Sequence, residues 1–146
     1  MNFEYDIGRV REFFAADRFA ALAGAYIESV TDDEVVCSLE IEDKHRNAMG
    51  AVQGGAIFTL ADLCFAVHCN QALLRGEDVG GTVGQSCSIS YLKTPRGKRL
   101  FARSRRLSGG RTMSVFGISV SDELGNAVAE MLGNAFTTAK PPERAF

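Results

Sequence analysis

Residues 45–70 read HRNAMGAVQGGAIFTLADLCFAVHCN. Residues 43–53 are polar and contain glycine, so they form a loop. From Gly54 to about Leu74 the chain predicts one long helix. Between Gly55 and Val67 only Thr59 and Asp62 are polar. A helix apolar all round is buried on all sides, so a sheet must wrap it. A lone carboxylate inside that run needs a donor or a cleft, because an unpaired buried charge is costly.

The wrapping material lies on both sides. AYIESV (25–30) and EVVCSLEI (34–41) flank a turn at Thr31, Asp32 and Asp33, and read as a hairpin. In the second, Val35, Cys37, Leu39 and Ile41 share a face at a period of two. After the helix come four strand-like stretches, TVGQSCSISYLK, KRLFARSRRLS, RTMSVFGISVSDE and NAVAEMLGNAFTT. Their short separators imply antiparallel neighbours. Ahead of the hairpin, Val10, Phe13, Phe14, Phe19 and Leu22 recur at near-helical spacing. Asp17 is a candidate cap for a short second helical turn, which Gly24 ends. The sum is α+β, a curved antiparallel sheet of about six strands around one central helix.

A chain of 146 residues suits a single domain over 1–146. Its net charge of −2 excludes bulk attraction to nucleic acid or membrane. No apolar run is long enough to span a bilayer, and MNFEYDIGRVREFF lacks the pattern of a secretory signal. The cysteines, Cys37, Cys64, Cys69 and Cys87, form no C-x-x-C pair or zinc spacing. They read as buried free thiols of a cytoplasmic protein, with no metal site.

The order of elements and the loop–helix motif resemble the hotdog-fold acyl-CoA thioesterases, in particular their PaaI-like branch. That pattern stands here as Asn47, Gly50, Gln53, Gly54, Gly55, Leu60, Ala61 and Asp62. The trailing LCFAVHCN, the segment DRFAALAGAYIESV and the last hairpin fit as well, so the likeness spans the chain. It implies an acyl-CoA substrate, aryl or medium-chain, and no cofactor beyond the coenzyme A of the substrate. It also implies a homodimer that pairs into a dimer of dimers. Gln53 departs from the pattern, where many members have His. An amide can donate a hydrogen bond but cannot shuttle a proton near neutral pH.

Thioester hydrolysis needs a base or nucleophile and donors for the developing oxyanion. Asp62 is the candidate for the first, and the Gly54 N–H at the helix start for the second. Gly55 allows close approach of substrate. The two groups are eight residues apart, about 12 Å along a helix, whereas a reacting carbonyl must sit roughly 3 Å from both. One copy cannot supply both. Two antiparallel copies can, which predicts a site shared across a two-fold axis.

Asn47 holds the thioester or the water by resemblance, or caps its own loop. The resemblance adds a hydroxyl on the strand after the helix. Thr82, Ser86 and Ser88 are near, alternation does not choose among them, and Ser86 enters the candidate set. Arg103, Arg105, Arg106 and Arg111 cluster about Ser108-Gly109-Gly110. Arg111 and the Gly110 backbone are candidates for the phosphates of coenzyme A, against the plainer reading of a solvated strand face. His45 reads as a partly solvated loop residue and His68 as helix-end packing. A non-catalytic acyl-CoA binding module competes with the enzyme. A hydratase would need an Asp–His pair that is not found.

Overall fold

The computed structural model describes residues 2–144 and Phe146. Helix α1 (Ile7–Phe14) starts at Asp6, whose carboxylate accepts the Arg9 N–H. Helix α2 (Arg18–Ala23) starts at Asp17, whose carboxylate accepts the Ala20 N–H, and stops at Gly24. Gly24 has φ +86°, a left-handed conformation in which a side chain is strained. Strands β1 (Tyr26–Val30) and β2 (Val35–Glu40) form the expected hairpin. A 3-10 turn, Asp43–His45, leads into the loop. Helix α3 (Gly54–Cys69) and the short α4 (Gln71–Leu74) follow. Strands β3 (Thr82–Tyr91), β4 (Arg99–Gly109), β5 (Met113–Asp122) and β6 (Ala127–Thr137) complete the chain.

All six strands form one antiparallel sheet in the order β1-β2-β4-β5-β6-β3. The sheet curls around α3. Leu60, Ala61, Cys64, Phe65 and Val67 of the helix pack against Val35, Cys37 and Leu39 of β2, Leu100 and Ala102 of β4, and Phe116, Ile118 and Val120 of β5. Each fully buried Leu, Ile, Val or Phe contributes roughly 1.5–3 kcal/mol, so this layer holds the helix in place. Phe65 reaches β6: an atom added to Gly133 would meet its ring at 2.9 Å. Glycine there lets the sheet close on the ring. No helix among the described residues is long and apolar enough to cross a membrane.

Three expectations are corrected. The long helix ends at Cys69 rather than near Leu74. Asn70 breaks it: its Nδ2 donates to the carbonyls of Ala66 and Thr82, both at 2.9 Å, and its Oδ1 accepts the Thr82 N–H at 2.8 Å. That clamp turns the chain from helix to β3. Nor is the helix covered all round. Gly55 and Asp62 are exposed, and Ala56, Phe58, Thr59, Ala66 and Cys69 are half-buried. Positions 55, 59, 62, 66 and 69 follow helical spacing, so they form one stripe that the sheet leaves bare. Finally, Cys87 is exposed, because β3 is an edge strand with a neighbour on one side only.

Candidate active site at the start of the central helix

The loop before α3 is built from its own polar groups. Arg46 and Val52 form a bridge across it, and the Asn47 N–H donates to the Ala51 carbonyl at 2.8 Å. The Asn47 Oδ1 accepts the N–H groups of Met49 (2.9 Å) and Ala51 (3.1 Å). Asn47 thus braces the loop through its Oδ1. No partner for its Nδ2 is found among the described residues. Gly50 turns the chain with φ +81°.

His45 is buried rather than partly solvated. Its Nδ1 accepts the Glu42 N–H at 2.9 Å, so its proton sits on Nε2, 2.6 Å from the Ala23 carbonyl. The ring ties the loop to the end of α2, and the Gln53 N–H donates back to the His45 carbonyl at 2.7 Å. The sequence offered no signal for its burial, since the partner that draws the ring inward, the Ala23 carbonyl, is a backbone group 22 residues away.

Gln53 precedes the helix with φ −68° and ψ 137°, and its side chain does not cap. Its Oε1 lies 2.6 Å from where a Cβ on Gly55 would stand, so the amide folds over the first turn. The N–H groups of Gly54 and Gly55 have no acceptor among the described residues. The first N–H bonded across the turn is that of Ala56, to the Gln53 carbonyl at 3.0 Å. Two donors thus stand free where the helix dipole favours negative charge.

Asp62 lies eight residues on, about 12 Å along the axis, on the bare stripe. It makes no hydrogen bond or ion pair among the described residues. Partial burial of the carboxylate raises its pKa above the usual carboxylate value, and the Asp17 carboxylate at the start of α2 adds to this. The Cys69 thiol is pushed up to about 12, chiefly by burial with the Asp62 charge contributing. Burial, then Asp62, also raises the Cys87 thiol. Asp62 is therefore within electrostatic reach of α2 and of the helix-facing side of β3. Asp17 and Cys87 as its neighbours were not foreseen.

The remaining candidates spread apart. A bulge at Gln85 shifts the register of β3 on β6. Gly84 faces Phe65 and Tyr91 faces Gly54, whereas Ser86 points to the far side of the sheet and accepts from Asn134 Nδ2 at 2.9 Å. Ser86 is thus turned away from the helix of its own protomer, a placement that the bulge explains. Arg103 pairs with Glu34 at 3.4 Å, and Arg105 donates to Ser119 at 2.9 Å. Both are solvated strand residues. Arg106, Gly110 and Arg111 line a cavity of about 210 Å³ with His68, Asn70 and Thr82. This cavity is at the other end of α3, on the order of 20 Å from Gly54. The Gly110 N–H is committed to the Met113 carbonyl at 2.7 Å and Arg75 is paired with Asp32 and Glu77, so Arg106 and Arg111 are the lining guanidinium groups without an ion pair among the described residues. His68 is buried packing: its Nδ1 pairs with Ser104 Oγ at 2.8 Å, its ring abuts Phe116, and burial lowers its pKa.

A second cleft, of about 590 Å³, opens beside the helix start and is bounded by Phe19, Leu22, Gln53, Gly55, Ala56 and Phe58.

Residues 49–129 match the family described as the Thioesterase superfamily. A human relative named acyl-coenzyme A thioesterase 13 is 25% identical over 96 residues, which is 65% of this chain and 66% of that protein. The structure of the PaaI protein of the Escherichia coli phenylacetic acid degradation operon superposes with a TM-score of 0.80 at 22% identity, covering 90% of this chain and 92% of that one. The smu.793 protein of Streptococcus mutans, solved bound to acetyl CoA, superposes with a TM-score of 0.70 at 28% identity, over 81% of this chain and 91% of that one.

Proposed function

The chain belongs to the thioesterase superfamily, and from that footing we propose that it hydrolyses acyl-CoA thioesters at a site shared by two protomers. One observation carries the reading: two free N–H donors at the start of α3, and an unpaired Asp62 about 12 Å farther along the same helix. A thioester carbonyl cannot touch both in one chain. The bare stripe through Gly55, Thr59, Asp62 and Ala66 lets a second α3 lie antiparallel against the first. The open edge of β3 offers unpaired backbone groups beside it.

In this arrangement the carbonyl oxygen sits on the Gly54 N–H of one protomer. Asp62 of the other takes a proton from water as the water oxygen bonds to the carbonyl carbon. The negative charge on the oxygen is held by the helix start. When the C–S bond breaks, Asp62 returns its proton to the departing thiolate of coenzyme A. A carboxylate with a raised pKa is suited to both transfers. Gln53 grips without titrating. The acetyl CoA in the Streptococcus mutans neighbour and the name of the human relative support a coenzyme A substrate. Pairing of two such dimers and a cytoplasmic setting belong to the same proposal.

The test is thiol release over a panel of acyl-CoA substrates, with Asp62→Asn beside the wild type. Release by the wild type alone supports the reading, and equal release by both removes Asp62 from the mechanism. Binding without release by either protein favours a non-catalytic acyl-CoA binding module, the reading that Gln53 would also fit.

A further inference from the structure

Helix α2 carries two large apolar side chains that the core does not use. Phe19 is 70% exposed and Leu22 is 74% exposed. Three residues apart on a helix, they stand on the same side. A six-residue helix has little stability of its own, yet this one is held firmly. Asp17 caps one end, Gly24 the other, and His45 bonds to Ala23. The fold thus fixes α2 while leaving Phe19 and Leu22 in the open.

Opposite them, across the cleft of about 590 Å³, stand Ala56 and Phe58 of α3. That volume is within the range of small-molecule sites. One end of the cleft reaches Gln53 and Gly55, next to the free N–H donors. Away from Gln53, whose amide stands at the carbonyl end, the polar side chains along it are engaged: the Thr59 hydroxyl donates to the Gly55 carbonyl at 2.7 Å. Lys44 Nζ meets the Leu22 carbonyl at 3.0 Å and Glu42 at 3.3 Å, and His45 has both ring nitrogens partnered. The cleft therefore offers no unpaired charge to a ligand, and its α2 side is apolar through Phe19, Leu22 and Ala23.

Resting on the thioesterase reading, we propose that this cleft holds the acyl chain, and that Phe19 and Leu22 are the residues that select it. The carbonyl lies at the Gly54 end and the tail runs between α2 and the first two turns of α3. The acyl groups selected are neutral and apolar, aliphatic or aryl. Chains carrying a carboxylate or hydroxyl at the far end of the tail are rejected, because the free amide of the lining, Gln53, stands at the carbonyl end and Lys44 is already paired.

The experiment uses S-octyl-CoA, a thioether that cannot be hydrolysed, titrated by calorimetry against the whole protein, with coenzyme A alone as the reference. The wild type is expected to bind S-octyl-CoA at least about tenfold more tightly than coenzyme A. In Phe19→Ser/Leu22→Ser that difference should vanish while coenzyme A binding is retained. Leu22→Trp, also at an exposed position, should weaken S-octyl-CoA and spare S-ethyl-CoA. Equal binding of the two ligands by the wild type, or an unchanged difference in the variants, overturns the proposal. Tight, Phe19-dependent binding of S-octyl-CoA without thiol release from octanoyl-CoA would sink the hydrolase reading and leave this one standing.

Discussion

The hydroxyl of Tyr91 donates to the carbonyl of Gly54 at 3.0 Å, and the same ring stands 2.9 Å from where a Cβ on Gly54 would be. The edge strand thus grips the carbonyl side of the first helical residue and leaves its N–H side bare. Gly54→Ala should destabilise the protein by about 1–3 kcal/mol, because the ring must move. In a Tyr91→Ala background the same change should be neutral or favourable, since Ala is the better helix former. A double-mutant cycle by urea unfolding measures this coupling. Additive effects would mean that the contact is slack.

Asp62 should weaken the fold that carries it. Its raised pKa means that the folded chain holds a proton the unfolded chain releases. The stability it contributes is therefore full below the unfolded carboxylate pKa and is lost as pH rises through the higher folded value. Asp62→Asn should raise the melting temperature at pH 7 and not at pH 3, while activity falls at least about a hundredfold. A lower melting temperature at pH 7 would place Asp62 in a stabilising network instead.

The same shift sets the acid limb of the pH–rate profile. It should lie above the ordinary carboxylate range, because partial burial and then Asp17 disfavour the charged form. Asp17→Asn retains a capping oxygen for the Ala20 N–H and removes the charge. The limb of kcat/KM should then move to lower pH with little loss at pH 8. An unmoved limb would show that Asp17 is too far or too screened to matter.

Gln53→His introduces a group that titrates between pH 5 and 8 beside the free N–H donors. A second limb near pH 6–7, absent from the wild type, is expected in kcat/KM. If the profile is superimposable on that of the wild type, the residue at 53 does not contact the reacting group.

At the far end of the sheet, Asp122 is buried and its carboxylate accepts the N–H groups of Arg96 (2.9 Å), Gly97 (3.1 Å), Leu124 (3.1 Å) and Asn126 (2.9 Å). These bonds, with the Asn126 side chain, outweigh desolvation and hold its pKa below the usual carboxylate range. Its stabilisation is present above the unfolded pKa and is lost as pH falls through the depressed folded value. Asp122→Ala strands several backbone donors and should destabilise by roughly 2–4 kcal/mol at pH 7, with activity per folded molecule unchanged. Chemical denaturation across pH 2–7 reads both.

Much of this architecture is legible without coordinates. The apolar run after Gly54 can satisfy itself only inside a wrapped sheet, and the turn residues between the strands dictate antiparallel pairing. The caps at Asp17 and Gly24 follow from local chemistry in the same way. What escapes is non-local. The helix stops at Cys69 because Asn70 finds the backbone of Thr82. Ser86 faces away because a bulge at Gln85 resets the alternation. His45 is buried because the Ala23 carbonyl waits for it. Each depends on a partner far along the chain, and no periodicity encodes that. The bare stripe on α3 is the sharper lesson. Hydropathy marks a surface as apolar but does not say whether the sheet of the same chain covers it.

Subunit mixing tests the shared site most directly. Gly54→Pro removes the N–H donor at a first helical position whose backbone proline tolerates, after a Gln53 already in the extended conformation a proline requires, at the cost of displacing the Tyr91 ring. Asp62→Asn removes the base. Each variant alone should be inactive. Refolded together in equal amounts, half of the dimers are mixed and each holds one intact site, so activity should return to about a quarter of the wild-type value. Mixtures that stay as inactive as either parent, although mixed dimers have formed, would place both groups in one chain and contradict the account.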